Sequence, residues 1–221
     1  MISFVDETGS TNADLAAAIR SGEGWAEGRW LVARRQTAGR GRQGREWFDG
    51  AGNFMGSTAV GVGEAGPPPA TLSFVAALAV HDAVAGAIAS EAELALKWPN
   101  DVLLNSGKLS GILLEMVRGQ IVVGIGVNLA RAPQLPDRKT AALADISDPP
   151  PLEAFAASLA AAFARRLESW RTYGLGATLQ AFLAQSIHAQ GSPVTVHDTD
   201  GSVLTGSFAG LEESDGALRL R

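Results

Sequence analysis

The chain has 221 residues, a formal net charge of -5 and a sequence pI of about 5.2, with 46% hydrophobic and 19% charged residues. That balance suits one sizeable core plus a small appended unit and argues against a general nucleic-acid binder, DNA included, which needs a basic face. No cysteine occurs, which excludes disulfides, thiolate metal sites and a cysteine nucleophile, and fits a reducing cytoplasm.

Residues 1–7 carry neither a basic region nor an apolar run, so no signal peptide is expected. Ser10-Thr11-Asn12-Ala13-Asp14 predicts a helix start, with Thr11 and Asp14 spaced as a capping box and the helix running through Ile19 to a stop at Ser21-Gly22. A strand is expected over 30–35. Residues 36–45 are too rich in glycine for regular structure. A strand over 54–62 and a turn-rich loop over 63–69 follow. The helix expected over 71–89 carries His81 and Asp82 at its centre, too polar for a membrane span.

A strand from 94 runs into Lys97-Trp98-Pro99-Asn100-Asp101, where Pro99 sets a sharp turn. Strands over 102–104 and 108–117 flank the turn residues Asn105-Ser106-Gly107, and Arg118-Gly119 turns the chain into 120–128. Strands joined by such short turns are antiparallel neighbours, so a doubly wound parallel sheet is excluded. A loop with five prolines spans 131–151. Leu152, Phe155, Leu159, Phe163, Leu167 and Trp170 then follow the helical period over 152–173, with Gly174 as the cap and a second helix over 175–188. Beyond Gly191, short strands over 193–196, 203–204, 207–208 and 218–220 predict a small β unit that must pack on the main body. The expected division is a catalytic body over 1–190 and a β unit over 191–221 that stops in a strand, as if truncated.

Six of the fifteen arginines fall between Arg29 and Arg45, a local basic patch suited to a small anion such as a nucleotide. Its centre is Gly39-Arg40-Gly41-Arg42-Gln43-Gly44-Arg45. Glycines let the backbone curl against a ligand, and arginine forks match carboxylate and phosphate. The loop lacks Walker spacing. It reads equally as an arginine-glycine tract, although the acidic balance lowers any nucleic-acid role. Two of the three lysines, Lys97 and Lys108, lie close together, and Lys108 sits within the apolar frame of Leu109, Ile112, Leu113 and Leu114. Such a cation can stand between two reacting anions. The glycines of Gly124-Ile125-Gly126-Val127-Asn128 mark a close approach to a ligand or a neighbouring strand. Ser10-Thr11-Asn12 serves as a helix cap or as a seat for a polar head group. His81, His188 and His197 share no metal spacing and are expected to be structural or surface residues; no metal ligand is assigned.

Taken in order, Ser-Thr-Asn, the run from Gln36 through Trp47, Lys-Trp-Pro-Asn-Asp-Val with Gly-Lys-Leu-Ser-Gly-Ile-Leu-Leu-Glu, and Gly-Ile-Gly-Val-Asn-Leu resemble the catalytic domain of biotin protein ligases. The resemblance covers about 8–130 and, more loosely, the tail. It implies an α+β fold of the class II synthetase/biotin ligase type: a mixed, largely antiparallel sheet flanked by helices, with a small C-terminal β-barrel. It implies ATP with Mg2+ as one substrate and biotin as the other, with no tightly bound cofactor. Biotin is adenylated and then passed to a lysine of a biotin carboxyl carrier protein or domain in the cytoplasm. Lys108, Arg40 and Arg42 would carry catalysis. Ser10, Thr11, Asn12, Gln36, Gly39, Arg40, Gly41, Arg42, Lys108, Gly111 and Leu113 would hold biotin, and Arg42, Arg45, Trp47, Lys97, Asn100 and Asn128 the nucleotide. The motif starting at Ser10 leaves no room for the DNA-binding unit of some relatives. Phe182 stands where tryptophan is expected. An exposed strand edge offers a route to a homodimer.

Overall fold

The structure, a computed structural model, describes residues 1–63, 66–88, 92–197 and 202–221. Its centre is a seven-stranded sheet of order β1-β2-β3-β7-β6-β5-β4. The strands are β1 (Ile2–Val5), β2 (Trp30–Ala33), β3 (Phe54–Gly61), β4 (Leu94–Lys97), β5 (Asp101–Leu104), β6 (Gly107–Val117) and β7 (Gln120–Val127). Every pairing is antiparallel except β1 with β2, so the sheet is mixed and largely antiparallel, as expected. The parallel strand β1 was not foreseen; its four residues run straight into the acidic Asp6-Glu7 and show no alternation.

Two turns explain the meander β5-β6-β7. Asn105 and Ser106 have φ of 46° and 65°, and Arg118 and Gly119 have 46° and 78°, both in the left-handed region that matches strand twist in a two-residue hairpin. At the outer edge, the β4 backbone is capped by the segment after the last helix: Leu96 N–H donates to the Gln185 carbonyl at 2.7 Å, and Ile187 N–H to the Leu96 carbonyl at 3.0 Å.

One face carries α2 (Leu72–Ala85) and α3 (Leu152–Ala184). Ten of the fourteen residues of α2 are buried, because it is sandwiched between the sheet and α3. Trp30, Phe54, Phe155 and Phe163 interlock edge-to-face, with centroids 5.4–6.4 Å apart. Phe182 is fully buried and packs 4.9 Å from Phe74, filling the place where tryptophan was expected. Gly174, with φ 75° and ψ -173°, breaks α3 where the cap was expected, but helix ends at Ala184 rather than His188. The other sheet face carries α1 (Thr11–Ser21) through Leu15, Ala16 and Ile19.

Several expectations are corrected. The capping box at α1 does not form: Ser10 is the N-cap, without a side-chain cap bond, and the Asp14 carboxylate instead accepts from the Thr8 hydroxyl at 2.6 Å. The glycine-arginine loop holds no strand or α-helix, as expected, but its backbone is paired across a tight turn over Arg42–Gly44. Gly41 N–H donates to the Arg45 carbonyl at 2.7 Å, Trp47 N–H to the Gly39 carbonyl at 3.0 Å, and Arg40 bridges Glu46. Glycines at 39, 41 and 44 permit this narrow hairpin rather than preventing it, since Gly44 takes φ 71° at its tip. Helix α2 stops at Ala85; Ala89, two residues of the 63–69 loop and residues 198–201 lie outside the described residues.

The tail forms β8 (Pro193–His197), β9 (Val203–Leu211) and β10 (Leu218–Leu220), in the order β10-β9-β8. Val203-Leu204 and Ser207-Phe208 belong to one continuous strand, not two. Three strands are too few to close, so among the described residues there is an open sheet and no barrel. Val194, Phe208 and Leu211 join the same apolar core as α2 and α3, so the tail packs on the body. Among the described residues no helix is long and apolar enough to cross a membrane.

Candidate active site

On the α1 face, every residue singled out from the sequence lines one open cleft of about 2020 Å³. Strand register builds its floor. Gly111 pairs with Gly126 and with Asp101, and the next row on that face joins Ser57, Gly124 and Leu113. The glycines are clearances for side chains of the site. A Cβ at Gly124 would lie 2.2 Å from Asn12 Oδ1, and one at Gly126 would lie 2.2 Å from Trp47 Cε2. The close approach expected at Gly124 and Gly126 is therefore to α1 and to the hairpin of the glycine-arginine loop. Trp47 extends across both Gly126 and Gly111, and its buried indole Nε1 has no hydrogen-bond partner.

At one end lies a neutral, buried polar group. Thr11 N–H donates to Gln36 Oε1 at 2.7 Å, and Thr11 Oγ1 lies 3.1 Å from that oxygen and 2.7 Å from Ser57 Oγ. Ser57 Oγ donates to Asn12 Oδ1 at 2.6 Å, and Asn12 Nδ2 donates to Glu115 at 2.7 Å. Gln36 is held from behind, its own N–H donating to Asp49.

At the other end the charge is positive. Lys108 Nζ lies 2.7 Å from Asp101 Oδ1, with 22% of each side chain exposed. Arg42 donates to Asn100 Oδ1 at 3.0 Å, and Asn100 donates to the Ile112 carbonyl at 2.8 Å. Arg40, Arg42, Arg45 and Lys97 are exposed, and none has a carboxylate within 4.0 Å among the described residues. Asn128 lines the cleft but is 97% buried, with a relative exposure of 3%. Its amide donates to the carbonyls of Ala141 and Lys108 at 3.2 and 3.4 Å, so it pins the strand carrying Lys108. His188 also faces the cleft, stacks on Phe208 at 5.4 Å, and has its pKa lowered by burial and by Lys97.

Sequence reasoning missed Ser57 and Glu115. Glu115 closes the Gly-Lys-Leu-Ser-Gly-Ile-Leu-Leu-Glu run and was visible there. Ser57 sits in a strand with no distinguishing pattern.

A neutral, buried polar pocket continuous with an arginine-and-lysine end has the chemistry of a ligase that joins a polar acid to an anionic partner. The model of the biotin/lipoate A/B protein ligase family matches residues 6–130, and the chain belongs to that family. It is 42% identical to the biotin–[acetyl-CoA-carboxylase] ligase of Paracoccus denitrificans over 97% of this chain and 91% of that one. It is also 42% identical to the ligase of that name from Mycobacterium tuberculosis, over 77% of this chain and 65% of that one. Biotin protein ligase from Aquifex aeolicus, solved in complex with biotin and ATP, shares the fold with a TM-score of 0.83 at 24% identity, covering 100% of this chain and 98% of that one.

Proposed function

We propose that the chain activates biotin with ATP and transfers it to a lysine of a biotin carboxyl carrier protein. The observation that carries this reading is the meeting, on one sheet face, of the Thr11-Asn12-Gln36-Ser57 group with the cations of the arginine hairpin and Lys108. A cyclic urea is neutral, with N–H donors beside a carbonyl, and suits the first. Phosphates suit the second.

In the first step a biotin carboxylate oxygen attacks the α-phosphorus of magnesium-bound ATP, and pyrophosphate leaves. In the second the lysine amine attacks the acyl carbon of biotinyl-5'-AMP, AMP leaves, and the amine sheds its proton. Both anions of the first step must approach each other, so Lys108, Arg40 and Arg42 act by offsetting that charge where it concentrates. Asp101 holds Lys108 on the cleft floor at the Gly111 row. Arg45, Lys97, Asn100 and Trp47 serve the nucleotide, Asn128 fixes the strand beneath it, and Gly111 and Leu113 leave room for the apolar chain of biotin. The hairpin over 39–47, reaching Asn100 through Arg42, shields the anhydride from water. We place the protein in the cytoplasm, which its cysteine-free composition suits, and assign any homodimer contact to the outer edge of β1.

The test is biotin-dependent exchange of labelled pyrophosphate into ATP, with lipoate as control. Exchange with biotin alone is expected. Exchange with lipoate alone moves the substrate to the other branch of the family, and exchange with neither overturns the enzyme reading.

A further inference from the structure

We infer that Glu115 is a positioning residue that sets the direction of the side-chain hydrogen bonds linking Asn12, Ser57 and Thr11 at the head-group end of the cleft, acting through Asn12. The inference rests on the biotin reading above. Glu115 lies on β6, on the same face as Gly111 and Leu113, but behind Asn12 and outside the cleft lining. It therefore touches no ligand there.

An ionised carboxylate can only accept hydrogen bonds. Because Glu115 takes the Asn12 Nδ2 proton at 2.7 Å, the amide oxygen of Asn12 must face the other way. There it receives the Ser57 hydroxyl proton at 2.6 Å. Ser57 has only that one proton to give. Its 2.7 Å contact with Thr11 Oγ1 is then one in which Thr11 donates, the shorter of the two contacts open to the single Thr11 hydroxyl proton, the other being Gln36 Oε1 at 3.1 Å. The bonds thus run in one direction, from Thr11 to Ser57 to Asn12 to Glu115. Gln36 Oε1 is occupied by Thr11 N–H at 2.7 Å, which turns Gln36 Nε2 toward Gly39 and leaves it as a donor.

Nothing in Thr11, Ser57 and Asn12 fixes this direction by itself, because hydroxyls rotate and an amide turns over. Glu115 is the one member that cannot donate. With it in place, the hydroxyls face the cleft with lone pairs rather than protons. Two N–H groups flanking one carbonyl require that arrangement of acceptors beside a single amide donor. A site built to pair such groups discriminates strongly against the reversed pattern.

Glu115→Gln keeps the size and the contact but allows donation, so Asn12 can turn over. In pyrophosphate exchange, KM for biotin should rise about tenfold, the weight of one misdirected hydrogen bond, while KM for ATP stays within about twofold. In a Ser57→Ala background the chain is already cut, and Glu115→Gln should add less than about threefold. An unchanged biotin KM, equal rises for biotin and ATP, or full additivity would overturn the inference. The ligand-free protein supplies an independent readout: the Asn12 side-chain amide, observed by 15N NMR, should be shifted and protected from solvent exchange in the wild type and lose both in Glu115→Gln. Identical amide signals in the two proteins would overturn the inference too. If wild-type protein exchanges with neither acid, the biotin reading fails by itself, and the amide signals still decide the polarity.

Discussion

Lys108 approaches Asp101 to 2.7 Å, yet both side chains keep 22% of their surface open. Removing the cation therefore leaves a carboxylate that water can still reach, and the fold should survive. Lys108→Met is expected to lower the exchange rate by about 100- to 1000-fold, typical of losing one preorganised charge at a reacting centre, with little change in Tm. A loss of activity that tracks unfolding in a thermal scan would count against this. Arg42 makes a different kind of contact, a single bond to neutral Asn100. Arg42→Gly should free the hairpin and release biotinyl-5'-AMP, detectable as adenylate in a filtrate. Retention equal to wild type would remove Arg42 from that role. These residues were legible because each sits in a local run of unusual composition. Ser57 sits in no such run, and Glu115, though it closes one, could not be matched to Asn12, because their separations from Asn12, 45 and 103 positions, are beyond any spacing rule.

The floor of the cleft shows how elements share the work. Gly126 faces the Trp47 indole so closely that any Cβ must evict it. Gly126→Ala is expected to expose the indole, red-shift tryptophan emission, and raise KM for ATP by about tenfold while leaving KM for biotin nearly unchanged. Equal changes in both would show that the indole does not serve the nucleotide end. The three-strand meander was readable from Asn105-Ser106-Gly107 and Arg118-Gly119, because two-residue turns leave little topological freedom. The arginine hairpin was not. Glycine density signals freedom but does not reveal which backbone pairs close, and Gly41 with Arg45 and Gly39 with Trp47 become visible only in three dimensions. The capping box failed for a similar reason: Asp14 had a nearer hydroxyl in Thr8.

Across the whole molecule, two half-buried imidazoles make stability depend on pH. His81 and His188 both have pKa values lowered from 6.5, chiefly by burial. As pH falls below about 6.5 the unfolded chain takes up protons that the folded chain resists, so stability is full above that value and declines below it. Tm should fall between about pH 7.5 and about pH 5.5, and His188→Phe, which keeps the stack on Phe208, should flatten the slope. A slope unaltered by His188→Phe would assign the dependence to His81 or elsewhere. The mixed sheet and its helices were legible from periodicity. The tail was legible as strands but not as an open sheet, because closure depends on strand count and on what the body covers.

The Trp98 indole N–H donates to the Gly216 carbonyl at 3.0 Å, across 118 positions of chain. Thus the turn that delivers Asn100 is moored to the tail. A chimera joining this body at Gly191 to another ligase's tail should keep this mooring only if the graft presents a carbonyl at that spot. Exchange of tails among relatives is constrained by one tryptophan on the body.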